Sequence, residues 1–190
     1  MFFESVEGMT DVPMPSMDIF RPYVPDVAGF IEKGDRPGQS CMCTGKIRHK
    51  GKSTLVDAYN YLKTLVPENQ WGEIKVTMIS PSWYHLRYKT GQAFPTDVYP
   101  NDEAYFEDIA KAFQTELDIL YDAGVRNIQI DDPLFACKYT PPTEAGQGHR
   151  PAMTGATCSM CQQILTNSRL LLREDGRRME ARLLQQPLSR

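Results

Sequence analysis

Val-Arg-Asn-Ile-Gln-Ile-Asp-Asp-Pro, residues 125–133, is the stretch from which the rest of the chain can be read. Its β-branched residues Val125, Ile128 and Ile130 favour an extended backbone, and Pro133 closes the segment. Asp131 and Asp132 therefore stand at the C-terminal end of a predicted strand, Val125 to Asp131. A helix is predicted immediately upstream. Asn101 is a natural N-cap, and Asp102 and Glu103 suit the positive end of the helix dipole. Phe106, Ile109, Phe113, Leu117 and Leu120 recur at three- and four-residue steps and draw one apolar stripe, which Gly124 brings to a stop.

Further upstream the same alternation continues. Ile74 to Ser80 reads as a strand ended by Pro81. Ser53 can cap a helix running to about Val66, with Leu55, Ala58, Tyr59, Leu62 and Leu65 on one face and Pro67 beyond it. Cys41 to Ile47 is a further short strand. Strands alternating with helices imply parallel βα units. The expected fold is α/β, a partial (β/α)8 TIM barrel of about three parallel βα units. At 190 residues the chain is short of the roughly 250 that a complete barrel takes.

The composition changes near residue 139. All 19 Phe, Tyr and Trp residues lie at or before Tyr139, and all nine lysines at or before Lys138, whereas seven of the twelve arginines come later. A segment without aromatics or valine is a poor continuation of a barrel. The expected organisation is thus a partial barrel domain over 1–139 and an atypical tail over 140–190. Thr140 to Thr157 reads as loop or disorder, and Ser159 to Gln186 as one or two short helices broken at Gly176. The shift fits sequence never selected for this fold, such as translated intron or a shifted frame, better than an appended helix.

Net charge of -3 and a pI near 5.6 give no basic footprint for nucleic acid or an anionic membrane. No apolar run reaches the roughly 18 residues a membrane span needs, and the first residues lack the basic start of a secretory signal. A cytoplasmic location is expected. Five cysteines, an odd number at irregular spacing, point to reduced thiols rather than a disulfide framework.

Asp131 and Asp132 are the sharpest chemical signal, because the C-terminal ends of parallel strands form the active face of such folds. Either carboxylate can bind a substrate ammonium group or act as a base; the plainer reading makes Asp132 a turn cap and Asp131 a solvated side chain. Ser80-Pro81-Ser82-Trp83-Tyr84-His85 also follows a strand and could line a pocket, with Ser80, Ser82 and His85 as ligand contacts, or could be a packed loop. Gly51-Lys52-Ser53 opens a helix, but a phosphate-binding loop needs Gly at the position of Lys46, so an ATPase is rejected. Cys158-x-x-Cys161 is half of a zinc site that Cys41-x-Cys43 or His149 could complete; a single such pair is a weak signal.

Ile128-Gln129-Ile130-Asp131-Asp132-Pro133 is similar to the Ile-Gln-Ile-Asp-Glu-Pro segment of cobalamin-independent methionine synthases. The acid-capped helix ending Asp-Ala-Gly and the earlier strand with its Ser-Pro loop fall in the same order. Met1 to Met9 and Cys43 to Ile47 look like segments of fungal-type relatives. The resemblance covers roughly residues 1–137 and belongs to the superfamily that also holds uroporphyrinogen decarboxylase-like barrels. It implies a barrel, apparently truncated at both ends here, that transfers a methyl or alkyl group to a thiol activated by zinc. It further implies that Asp131 helps hold the amino group of a homocysteine-like substrate. Asp132 stands where the synthase has Glu, which leaves that contact less secure. The family's zinc ligands include a His-x-Cys pair, and no His-x-Cys occurs in this chain. No catalytic residue and no metal ligand is therefore assigned; zinc is expected only for the complete family barrel.

Three readings follow from these residues. The first is a methyltransferase-type transferase needing further chain for activity, with a small-molecule thiol or amino-acid-like substrate and a tendency to self-associate through open barrel edges. The second is a noncatalytic or accessory protein of a fungal secondary-metabolite cluster. The third is a small zinc-binding module built on the tail cysteines.

Overall fold

A computed structural model describes residues 2–131 and 180–184 of the chain. The longest element is a helix at Asp102–Asp122, and its boundaries are those its sequence announces. The Asn101 side chain accepts from the Ala104 N–H at 2.9 Å, satisfying one of the helix's unpaired amides. Gly124, at φ +100°, turns the chain out of the helix, and the Val125 N–H returns to the Leu120 carbonyl at 3.0 Å. The buried face carries Phe106, Ile109, Phe113, Leu117 and Leu120 as the periodicity predicts, and also Tyr105, Tyr121 and Glu116.

Five strands and three α-helices are described. In chain order they are β1 (Val6–Pro13), α1 (Pro25–Lys33), β2 (Gln39–His49), α2 (Thr54–Lys63), β3 (Lys75–Ile79), α3 (Asp102–Asp122), β4 (Asn127–Asp131) and β5 (Glu180–Leu184). They form two separate sheets. β1 and β2 pair antiparallel, while β3, β4 and β5 form a parallel sheet in that order.

This arrangement overturns the expected partial (β/α)8 barrel of about three parallel βα units. The predicted strand Cys41–Ile47 is real, within β2, but it pairs antiparallel with β1 and takes no part in the parallel sheet. Among the described residues, β3, α3 and β4 form a parallel crossover, with Val76 opposite Ile128 and Met78 opposite Ile130. Alternation of strand and helix along a sequence does not fix which strands become neighbours, because pairing is a non-local choice. The short helices expected in the tail are also not what Glu180–Leu184 forms: this stretch is strand β5, paired in register with β4. The rest of residues 140–190 lies outside the described residues.

β1 and β2 are held in register by a bulge between Glu7 and Met9. Gly8 occupies it at φ +82°, and a Cβ there would come within 2.4 Å of the Lys46 carbonyl oxygen. Glycine is thus required both for its backbone angle and for the close approach of the two strands. α3 lies against β2, and Tyr99 ties the two together: its hydroxyl accepts from the Ile47 N–H at 2.7 Å and donates to Asp108 at 3.0 Å. Phe94, Tyr99 and Tyr105 cluster around this tie edge-to-face and tilted, with Phe94 and Tyr105 ring centroids 4.7 Å apart.

α2 is capped by Ser53, whose hydroxyl accepts from the Leu55 and Val56 N–H groups. Its apolar stripe is only partly used. Tyr59 is buried and donates to the Gly124 carbonyl at 3.0 Å, whereas Leu62 and Leu65 are exposed. Among the described residues, no helix is long and apolar enough to cross a membrane.

Candidate functional site

The parallel sheet has two unlike faces because side chains alternate along a strand. Val76, Met78, Ile128 and Ile130 point into the core. Lys75, Thr77, Ile79, Asn127, Gln129 and Asp131 occupy the alternate positions and are less buried, and all but Ile79 are polar. Asp131 ends that polar row at the C-terminal end of β4, where the sequence places it. Its carboxylate accepts from Gln129 Nε2 at 2.7 Å, two residues back on the same face. Gln129 thereby orients one oxygen of the carboxylate.

The Ser80 loop meets Asp131 directly. Ile79 is in register with Asp131, and the Ser80 N–H donates to the Asp131 carbonyl at 3.0 Å. The Ser80 and Ser82 hydroxyls contact each other, and both residues are buried. Behind them the loop is a tight turn: the Ser82 carbonyl accepts from the N–H groups of His85 at 3.0 Å and Leu86 at 2.9 Å. Of the residues singled out by sequence, Ser80, Ser82 and Asp131 are therefore gathered at one end of the parallel sheet. Asp132 lies outside the described residues.

His85 belongs to the same loop, but its ring is engaged elsewhere. Nδ1 lies 3.2 Å from Arg21 Nη2, and Nε2 lies 3.4 Å from Asp102 Oδ1. A guanidinium can only donate, so Nδ1 accepts and the proton of the neutral ring sits on Nε2. The Nε2–H faces Asp102 within ion-pair distance but without hydrogen-bond alignment. Burial holds the imidazole below its ordinary pKa; the Asp102 carboxylate opposes that shift and the Arg21 guanidinium adds to it.

A second buried polar cluster was not singled out by sequence. Glu116, on the apolar face of α3, is fully buried, and its carboxylate accepts from Ser53 Oγ at 2.5 Å and from His49 Nε2 at 2.6 Å. The Gly51 N–H donates to His49 Nδ1 at 2.9 Å, which fixes Nε2 as the proton-bearing nitrogen of the neutral ring. The signal was present in the sequence. Ile109, Phe113, Glu116 and Leu120 share the helical repeat, so a carboxylate interrupts the stripe. Because the Ser53 hydroxyl donates to Glu116 while accepting from the α2 amides, the three groups join β2, the start of α2 and α3. They satisfy one another and leave no reactive pair, which marks them as a structural tie.

Metal chemistry finds little support in the described residues. No group of three or more His, Cys, Asp or Glu among them could hold a metal ion. Cys41 and Cys43 are free thiols whose pKa is pushed up to about 11 by burial, the opposite of what a thiolate ligand or nucleophile needs. The other residues of the zinc reading, Cys158, Cys161 and His149, lie outside the described residues. The residues described do not fit a zinc ion.

Comparison with known proteins gives a limited likeness. No protein-family profile matches the chain. Two Bacillus subtilis (strain 168) proteins named only as uncharacterized, YxjH and YxjG, are each 26% identical to it, over 119 and 124 residues. Those stretches are 63% and 65% of this chain but 29% and 31% of the relatives, so the chain spans under a third of their length. Among solved structures it is similar to the "Putative Vitamin-B12 Independent Methionine Synthase" of Listeria monocytogenes, with a TM-score of 0.53 and 22% identity, covering 75% of this chain and 40% of that one. At that identity the likeness concerns the fold alone.

Proposed function

We propose that the chain supplies the substrate-holding end of a methionine-synthase-like transferase, one that moves a methyl or alkyl group onto the thiol of an amino-acid-like substrate. Asp131 is the residue on which the reading rests. A carboxylate at the end of a parallel strand, with one oxygen oriented by Gln129, suits the ammonium group of a homocysteine-like ligand. Ser80, whose N–H donates to the Asp131 carbonyl, and Ser82 stand at the same end of the sheet as candidate contacts, and Asp132 follows in sequence as a second carboxylate. The similarity to the Listeria protein is in accord with this reading at the level of the fold. Nothing among the described residues activates a thiol, so group transfer itself calls for parts that a longer protein or a partner would bring.

Calorimetric titration of the chain with L-homocysteine, and with the same thiol acid lacking its amino group, tests the proposal. The expected result is binding of homocysteine alone, weakened at least tenfold by Asp131→Asn. Equal binding of both compounds, or no effect of Asp131→Asn, would exclude the assigned role. No binding at all would favour a noncatalytic protein.

A further inference from the structure

His85 sits where three parts of the chain meet. The backbone of residues 19–21 clasps that of residues 87–89: the Arg21 N–H donates to the Arg87 carbonyl at 2.8 Å, and the Lys89 N–H to the Ile19 carbonyl at 2.9 Å. Phe20 stacks on Tyr88 with ring centroids 5.4 Å apart. The Arg21 side chain reinforces the clasp, with Nε donating to the Tyr88 carbonyl and Nη2 to His85 Nδ1. On its other edge the imidazole faces Asp102, the first residue of α3, and its ring lies against Phe106.

We infer that His85 is a proton-operated latch on the Ser80–Leu86 loop, closed on Arg21 when neutral and released from it when protonated. The geometry requires this change of partner. Protonation places a hydrogen on Nδ1, where it meets the Arg21 donor, so a hydrogen bond becomes a donor–donor contact between two cations. The Nε2–H, by contrast, gains attraction to Asp102. Arg21 and Asp102 are the charged groups that act on the ring. The positive end of the α3 dipole beside Asp102 also disfavours a second proton. Because the His85 and Leu86 amides hold the Ser82 carbonyl, a change at the ring is passed to the Ser80–Ser82 end of the loop.

The sign of the pH effect follows. The folded chain holds His85 below its unfolded pKa of about 6.5, so the unfolded chain takes up the proton first as pH falls. The closed latch contributes its full stability above that pH and loses it as pH drops through the folded value. The latch does not depend on the ligand assigned to Asp131.

Imidazole 15N NMR of the full chain, titrated from pH 8 to 4.5, tests the inference, with His85→Asn identifying the signal. At pH 8 the signal should be that of the Nε2–H tautomer. Its midpoint should lie below 6.5 and coincide with a fall in the protection factors, corrected for intrinsic exchange, of the Leu86 and Tyr88 amides. Arg21→Gln should move the midpoint up, and Asp102→Asn should move it down. An Nδ1–H tautomer, a midpoint at or above 6.5, or loop exchange that ignores the two variants would overturn the latch.

Discussion

Replacing Glu116 should unfasten three elements at once, and the cost can be worked from its contacts. The side chain is fully buried, and its two oxygens take the only protons that Ser53 Oγ and His49 Nε2 have to offer in this tie. Glu116→Ala leaves both donors buried without an acceptor. Each such orphan costs about 1–3 kcal/mol, so the loss should be roughly 2–6 kcal/mol. Glu116→Gln keeps the shape and one acceptor oxygen but turns an amide NH2 toward the other donor. One buried donor left without its acceptor implies about 2 kcal/mol.

In urea, with a slope of about 1.5 kcal/mol/M, Glu116→Gln should lower the midpoint by about 1.3 M without changing the slope. Ser53→Ala alone should cost about 2–3 kcal/mol, from the lost N-cap together with the lost hydrogen bond to the buried Glu116 carboxylate. Combined with Glu116→Ala it should add less than its separate cost, since both changes break the same contact. Urea unfolding followed by far-UV circular dichroism measures all four. If Glu116→Gln cost under about 0.5 kcal/mol, or if Ser53→Ala and Glu116→Ala were strictly additive, the tie would not exist as described.

Two other perturbations probe separate parts of the fold. Gly8→Ala forces a side chain into the β1–β2 bulge against the Lys46 carbonyl, and should cost about 2–4 kcal/mol from combined backbone strain and overpacking. A thermal melt showing no loss would mean that the two strands do not approach there. Cys41 and Cys43, with pKa values pushed up to about 11, should react slowly with iodoacetamide at pH 7.5 and progressively faster above pH 9. Mass mapping of the alkylated peptides checks this, and a rate that levels off near pH 8.5 would contradict the burial that raises them.

What the sequence disclosed was what its local patterns encode. Asn101, the Phe106-to-Leu120 stripe and Gly124 state the whole of α3 within one short stretch, and Pro81 marks the end of β3 within a residue. Ser53 was legible as a cap for the same reason. The partners of β2 were not legible. β1 reads Val-Glu-Gly-Met-Thr-Asp-Val-Pro, with glycine and proline where strands rarely carry them, and it is a strand only because β2 lies beside it. β5 is the converse case. Glu-Ala-Arg-Leu-Leu favours helix locally, and pairing with β4 overrides that preference.

The candidate site shows the same division. The positions of Asp131 at the end of one strand and of Ser80 and Ser82 just after another were legible, and the register of β3 on β4 brings Ser80 against Asp131. The surroundings of His85 were not, since Arg21 lies 64 positions away in sequence and Asp102 belongs to another element. Glu116 was legible as a carboxylate within an apolar stripe, but its partners His49 and Ser53, 67 and 63 positions away, were not.

The measurement that tests the central claim most directly is an amide NMR footprint of L-homocysteine on the 15N-labelled chain. The account predicts shifts centred on Ser80, Ser82, Gln129 and Asp131 that saturate with ligand and vanish in Asp131→Asn. Shifts centred on Cys41 and Cys43, or anywhere away from the end of the parallel sheet, would contradict it.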